Sequence, residues 1–338
     1  MTLEPFAFPR HQPVRLRLRL RLPGPFRWVA LLLGIALAQG GCSPERPFRI
    51  GTNQWVGYEG FYLARSLGHY DRTRIKLVEL PSSTEVQQAL RDGLLEAGAL
   101  TLDETLTLLA DGVDLLVVLV IDTSHGGDAL LADPSLDRLE DLAGRRIGVE
   151  TSAVGALLMD GALTAAGLSP TDVTLVPMTA DRHVQALVKG HVEAVVTFEP
   201  RRTQLVKAGY RVLFDSKEFP GQIVDVLAVR TSALAGNQPV LQELLSGYFR
   251  ALEYLADHPE DAHRRMANRL EVAPEDVPIM LAGIHFPGKA ENHQLLSGTT
   301  APLRHSAGQL ARVMERAELL GAVSSTALTT SAEFLPPP

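Results

Sequence analysis

Carboxylates interleaved with aromatic residues are the groups in this sequence best suited to chemistry. Glu59, Asp103, Glu104, Asp122, Asp128, Glu199 and Asp225 lie in or beside loops that also carry Trp55, Tyr58 and Phe198. A carboxylate makes its strongest hydrogen bonds to protonated nitrogen, and an aromatic face covers a flat organic body. An inorganic anion such as nitrate meets a poor environment among so many acids. Glu199, Asp103 or Asp225 is therefore expected to hold an amine or protonated nitrogen, and Glu199, set against Pro200, has the fewest local duties. Thr101 and Glu104 also have capping-box spacing, and Asp103 suits the first turn of a helix for its dipole alone. Thr151 and Ser152 open a helix, where a serine caps the first amides and amides left free bind a polar or anionic group. Trp55 and Tyr58 flank Gly57 in a polar loop and are read as ligand contacts. His125, beside Gly126, is a further candidate, although a solvated loop histidine is the simpler state.

Patterns for catalysis fail on inspection. Gly283 to Lys289 has the glycine and lysine spacing of a phosphate-binding loop, but Ala290 stands where a Mg²⁺-binding hydroxyl is needed and no strand leads into it. The ten histidines are scattered, with no His-Glu-x-x-His and no compact Cys/His set. No Gly-x-Ser-x-Gly elbow occurs. Neither a metal nor a cofactor is expected, and the chain is read as a binding protein.

The elements that must position these residues recur along the chain. Ile50-Gly51 ends a strand-like run and is answered by Ile147-Gly148. Leu77-Val78 is answered by Leu175-Val176, and Ala89-Leu90-x-x-Gly93-x-Leu95-Glu96-Ala97 by Ala186-Leu187-x-x-Gly190-x-Val192-Glu193-Ala194. Helical periodicities separate the strands, Ser82 with Glu85 starts one helix, and Gly68 and Gly167 stand where helices end. Each copy reads as a βαβαβ unit with a mostly parallel sheet flanked by helices. The expectation is an α/β protein of two lobes: 47–128 with 226–325, and 129–225, followed by a frayed tail over 326–338. Two crossover strands act as a hinge, one after the glycine pair Gly126-Gly127, the other after Pro220-Gly221. Ligands of open parallel sheets bind beyond the carboxyl ends of the strands. Here that edge is made by loops 53–59, 81–84, 101–104 and 122–128 facing 151–155, 178–181 and 197–200.

The N-terminus reads differently. Six arginines precede an apolar run from Trp28 to Ala38, then Gln39-Gly40-Gly41-Cys42. That is a signal-peptide pattern over 1–41, the run being about half of the ~20 residues that span a bilayer. Cys42 is the only cysteine, so no disulfide forms within the chain. Its place resembles a bacterial lipobox, in which the cysteine is lipidated, with Gln39 departing from the usual aliphatic residue. Plain cleavage with Cys42 left as a spectator is the alternative. The net charge of −7 becomes about −12 without residues 1–41, which makes nucleic acid an unsuitable partner.

From Gly51-Thr-Asn-Gln-Trp55-Val-Gly57-Tyr58-Glu-Gly-Phe-Tyr-Leu-Ala64 onward the chain resembles the nitrate/sulfonate/taurine class of ABC-importer substrate-binding proteins, the NMT1/THI5-like family. Gly93-Leu-Leu-Glu-Ala-Gly98, Asp141-Leu-Ala-Gly144-Arg-Arg-Ile-Gly148, Gly190-His-Val-Glu-Ala194 and Thr197-Phe-Glu-Pro200 carry the likeness further. The resemblance implies a type II periplasmic-binding fold, closure around a small-molecule ligand, and docking of a monomer on an ABC permease dimer with a cytoplasmic ATPase. It implies an extracytoplasmic, membrane-attached location. Carried over, the family's ligand loops fall on Trp55-Val-Gly57-Tyr58, Thr101 to Glu104, Ser124 to Asp128, Thr151 to Val154 and Thr197 to Glu199. The acids favour an organic solute bearing nitrogen, taurine-like or pyrimidine-like. A sensory or scaffold protein, or a binding-fold enzyme related to thiamine-pyrimidine synthesis, stands as the alternative.

Overall fold

A computed structural model of the chain describes residues 46–151, 154–298, 301–320 and 328–338. Cys42, the arginine-rich segment before it and Ser152 lie outside the described residues. Two sheets organise the rest. The first holds β1 (Phe48–Thr52), β2 (Ile75–Glu79), β3 (Ala97–Thr101), β4 (Leu115–Ser124), β10 (Val224–Arg230), β11 (Ile284–His285) and β12 (Thr329–Thr330). The second holds β5 (Asp128–Ala132), β6 (Arg146–Val149), β7 (Thr174–Pro177), β8 (Ala194–Phe198) and β9 (Arg211–Asp215).

The strands are short and apolar because helices cover both faces of each sheet. In the second sheet Leu130, Ala132, Ala194 and Val196 pack to one side, while Ala129, Leu131 and Val195 pack to the other. That is the alternation a pleated strand imposes. Both sheets share one order: β2-β1-β3-β10-β4 in the first and β7-β6-β8-β5-β9 in the second. The crossover strand, β10 or β5, runs against its neighbours, and the β1, β2, β3 and β6, β7, β8 pairings are parallel. β4 thus leads out of the first sheet into β5 of the second, and β9 leads back into β10 of the first.

The internal repeat is exact in register. Ile50 pairs with Leu77 and Ala97, and Ile147 pairs with Leu175 and Ala194. It extends to an ion pair in each copy: the Arg49 amide donates to Glu96 at 2.7 Å, and the Arg146 amide to Glu193 at 2.8 Å, with both guanidiniums on the same carboxylates. Partly exposed pairs of this kind contribute about 0–1 kcal/mol, so their main effect is to tie the start of each first strand to the entry of the third. At the hinge, Gly126 has φ +107, and its amide donates to Ser216 Oγ at 2.6 Å. Ser124 Oγ meets the same hydroxyl at 2.8 Å, which ties the two crossovers to each other.

Two features depart from the expected pattern. The tail expected to fray is ordered from Leu328 on: β12 pairs with β4, and Phe334 and Leu335 are 3% and 8% exposed. The edge of β4 offers free ladder groups, and two apolar side chains repay the ordering of the segment. The glycine–lysine segment at 283–289 contains β11 and the start of helix Lys289–Leu296, and Lys289 Nζ is held by Glu253 at 2.6 Å. Between β11 and β12 the edge of β4 is completed by a side chain: Val120 N donates to Asn292 Oδ1 at 2.8 Å, and Asn292 Nδ2 donates to Val120 O at 3.1 Å. Asn292 is fully buried. Asn292→Ala is expected to destabilise the fold by about 2–4 kcal/mol, because it strands two buried backbone groups. The midpoint of urea unfolding should fall with an unchanged slope, and an unmoved midpoint would show water replacing the amide.

Candidate functional site

The cavity between the sheets is built by two rows of paired residues. On the first sheet, Asp225 of β10 stands opposite Thr101 of β3 on one side and Asp122 of β4 on the other. On the second, Asp128 of β5 stands opposite Phe198 of β8. Both rows lie at the carboxyl ends of parallel strands, where the crossovers enter. The spacing of 97 residues that relates Ile50 to Ile147 also relates Asp128 to Asp225. Each crossover strand therefore delivers one carboxylate to the space between the lobes, from equivalent places in the two copies.

One chamber is lined by Trp55, Tyr58 and Phe198, by Asn53, Ser83, Thr101 and Val154, and by Glu104, Asp128 and Asp225. A second shares Asp128, Val154 and Phe198 and continues past Glu150, Leu158, His183, Val196 and Thr197. Trp55 and Phe198 meet edge to face with centroids 5.8 Å apart, one from each lobe.

The polar groups divide into occupied and free. Tyr58 OH donates to Asp225 Oδ1 at 2.5 Å, and Trp55 Nε1 donates to Asp122 Oδ2 at 3.1 Å. Asn53 Oδ1 and Asp128 Oδ2 in the first chamber, and Glu150 Oε2 and Thr197 Oγ1 in the second, are buried without a hydrogen-bond partner. Burial, with little positive charge nearby, raises the affinity of the acids for protons. It pushes Asp122 up to about 8, with Asp128 adding to the effect, and Asp128 up to about 7, helped by Asp103 and Glu199. Asp103 goes up to about 6 by burial, and Glu104 and Asp225 rise well above the carboxylate range, through burial first and then the neighbouring Asp103 and Asp122. His183 is pushed down to about 4, chiefly by burial, and is neutral.

Of the residues singled out from the sequence, the structure brings Trp55, Tyr58, Thr101, Glu104, Asp128, Thr197, Phe198 and Asp225 to these chambers. Others serve the frame. Gly57 is buried in the turn 56–58, with no room for a side chain between Asp122 and the Trp55 indole. Asp103 is buried in the first turn of helix Leu102–Ala110. Ser124 and Gly126 brace the hinge as described. Three of the candidates lie outside the chambers in this structure. Glu199 is spent on its own lobe: it accepts from Thr203 N at 3.0 Å and Thr203 Oγ1 at 2.8 Å, and pairs with Arg202 at 3.3 Å, capping helix Arg201–Lys207. His125 points to solvent, with its amide donating to Gly283 O at 2.8 Å. Thr151 is exposed and lines neither chamber. Glu59, an acid of the same loop region, is held by Arg269 away from the cavity. Asn53 and Ser83, not singled out from the sequence, line the first chamber from the loops 53–59 and 81–84; Glu150 and His183 carry no sequence signal beyond adjoining such loops.

Contacts cross between the lobes around the chambers. Arg201 donates to Gln54 O at 3.3 Å and Gln54 Oε1 at 3.2 Å, Thr84 N donates to Glu150 Oε1 at 3.0 Å, and Lys207 pairs with Asp276 at 2.7 Å. Leu157, Ala180 and Phe198 of the second lobe pack into the core of the first. The structure is thus a closed form.

Comparison with known proteins agrees with this architecture. The chain is 27% identical over 183 residues to an Escherichia coli (strain K12) protein named for aliphatic sulfonate binding, covering 52% of this chain and 56% of that one. It is 24% identical over 211 residues to the taurine-binding periplasmic protein of the same organism, covering 60% and 66%. The matched stretch therefore spans between about half and two thirds of these relatives. Among solved structures, the alkanesulfonate-binding protein SsuA from Xanthomonas axonopodis pv. citri, bound to MOPS, superposes with TM-score 0.72 at 20% identity over 86% of this chain and 100% of that one. The desulfurization enzyme DszB shares the fold at TM-score 0.62 and 16% identity, over 85% and 97% of the two chains, so the fold alone does not separate binding from catalysis. The NMT1/THI5-like family model matches residues 55–262, more than half of the sequence and every strand from β2 to β10. The chain belongs to the NMT1/THI5-like family.

Proposed function

We propose that this protein is the extracytoplasmic solute-binding component of an ABC importer, that it captures a small organic, nitrogen-bearing solute between its lobes, and that it catalyses no reaction. The observation that carries the reading is the pair of adjoining chambers where two crossover strands meet two sheets, with buried aromatic walls and unpartnered oxygens inside. With walls as buried as Trp55, Tyr58, Asp128 and Phe198, the site takes up a solute by separation of the lobes, and the hinge at 124–127 and 216–223 is the place for that motion. Sulfonate and taurine binding by relatives supports a small organic solute. Export, lipid attachment through Cys42 and delivery to a permease dimer belong to the same proposal.

Closure is tested apart from ligand chemistry by Arg201→Ala. Arg201 lines neither chamber, yet it bonds Gln54 across the cleft and lies over the Phe198 ring, 5.5 Å from its centroid. Its removal is expected to weaken ligand affinity about tenfold by taking about 1.4 kcal/mol from the closed state. Small-angle scattering should then need more ligand to reach the compact form. A compact form equally populated in variant and parent, at equal affinity, would sink the closure reading.

A further inference from the structure

We propose that the ligand of this cleft is an organic cation, with a protonated, hydrogen-bearing nitrogen seated on the free oxygen of Asp128 and a flat or apolar body against Trp55, Tyr58 and Phe198. The inference rests on the reading of the chain as a solute-binding protein and assigns the charge of its solute.

The free polar atoms of the chamber linings are Asn53 Oδ1, Thr101 Oγ1 and Asp128 Oδ2 in the first, and Glu150 Oε2, Thr197 Oγ1 and both ring nitrogens of His183 in the second. Asn53 Oδ1, Asp128 Oδ2 and Glu150 Oε2 are acceptors, the two threonine hydroxyls accept and donate, and the neutral His183 ring offers one acceptor and one donor. Buried acceptors without partners are costly, so a site that keeps several of them together is shaped for donors that arrive with the ligand. Among the described residues lining the chambers there is no lysine or arginine, and the one histidine is held neutral. Arg201 and Arg202 stand nearby but are turned to Gln54 and Glu199. A sulfonate placed here meets Glu104, Asp128, Asp225 and Glu150 with no counter-charge.

Asp128 is singled out among these acids by what its neighbours leave undone. Asp225, its counterpart in the other copy, already accepts from Tyr58 and lies against Asp122. Glu104 accepts from Thr101 N at 3.0 Å. Asp128 has Ser124 at its back, has one oxygen free, and lines both chambers, so a nitrogen there is reachable from either. Because Asp128 begins a crossover strand, a charge-assisted bond to it also fixes the hinge.

One rival chemistry uses the same residue: a protonated Asp128 could donate to an anion. Asparagine separates the two, since its amide also donates but cannot neutralise a cation. The experiment titrates the protein purified from cells expressing the full chain, and its Asp128→Asn variant, with a charge-sorted set of small organic solutes. The set comprises primary amines, amidines, guanidines and protonated aminoheterocycles, against sulfonates, taurine and carboxylates, read by thermal shift and calorimetry. The expected result is saturable binding of a cation, weakened about 30-fold or more by Asp128→Asn. The empty variant should melt no lower than the parent at pH 7, which shows it folded. Saturation by a sulfonate or carboxylate with affinity retained in Asp128→Asn overturns the cation and leaves the solute-binding reading standing. Cation binding indifferent to Asp128→Asn overturns the placement on Asp128. Binding by no class from a folded protein overturns both readings together.

Discussion

Gly57→Ala is expected to destabilise the protein by about 3 kcal/mol or more and to abolish high-affinity ligand binding. A Cβ at this position stands 2.7 Å from Asp122 Cγ, and closer still to the carboxylate oxygen and to Trp55 Nε1. Those two groups are the partners of a buried hydrogen bond at 3.1 Å. Overpacking a tight site costs about 1–3 kcal/mol, and leaving a buried acid without its donor costs about 1–3 kcal/mol more. Relaxation cannot be local. Trp55 is stopped on its far side by Gly127, where a Cβ would come within 2.6 Å of the indole, and by Phe198. Asp122 is fully buried beside Asp225. The displaced tryptophan is a wall of the first chamber, so affinity falls with stability. Gly288→Ala is the control: nothing lies within 4 Å of its added Cβ, and its φ of −69 suits alanine. It should be neutral to within about 1 kcal/mol. Equal midpoints for the two variants in chemical unfolding would refute the account of the Trp55–Asp122 contact.

The ligand-free protein is expected to lose stability as pH rises from about 6.5 to 8, the reverse of what surface carboxylates produce. Asp122 is pushed up to about 8 and Asp128 and Glu59 to about 7, all by burial foremost, and Asp225 is raised well above its usual range. A carboxyl whose folded pKa exceeds its unfolded value holds more protons folded than unfolded between the two values. Stability from it is complete below the unfolded pKa near 4 and is lost as pH climbs through the folded pKa. Each excess proton gives a slope of about −1.4 kcal/mol per pH unit. The groups facing this cluster do not cancel it. Trp55 and Tyr58 donate to it without titrating in this range, since Tyr58 is itself raised by burial. His183, pushed down to about 4, opposes the slope only between about 4 and 6.5, which leaves the upper window clean. Glu193, held low by its hydrogen bonds to Arg146, acts only at more acidic pH. Urea midpoints at pH 6.5, 7.25 and 8 measure the effect, and a flat or rising series would mean that these acids are charged in the folded state. A bound cation should flatten the curve and release protons, which titrations in buffers of different ionisation enthalpy would detect.

Local rules carry far in this chain because most of its architecture is local. The spacing of 97 residues brings Ile50, Gly51 and Glu96 onto Ile147, Gly148 and Glu193, and these are the residues found in matching registers of the two sheets. Helix Pro259–Leu270 starts at its proline, which suits a first helical position, and Ser82 caps the helix that follows it by accepting from Glu85 N at 3.3 Å. The rule that ligands gather beyond the carboxyl ends of parallel strands brings Trp55, Tyr58, Thr101, Asp128, Phe198 and Asp225 to one place, since strand ends are set by apolar runs readable in sequence. The edge pairing of β12 is not readable in that way. Thr329 and Thr330 take strand form only because β4 has a free edge there, supplied by residues more than two hundred positions away.

The sequence by itself determines two lobes of one βαβαβ pattern, the crossovers between them, and a strand edge rich in acids and aromatics. Only the tertiary structure decides which of those acids is free. Glu199 had few local duties in sequence, yet Thr203, one turn along, takes both of its oxygens. Asp225 is answered by Tyr58 across 167 residues, and one oxygen of Asp122 by Trp55 across 67. Asp128 keeps an unpartnered oxygen because packing brings no donor to it, and Glu150, lining the second chamber, is bonded by Thr84 of the opposite lobe. Strand and helix positions follow from side chains a few residues apart. The satisfaction of a buried lone pair depends on every group that packing brings within about 3 Å, and those groups come from anywhere in the chain.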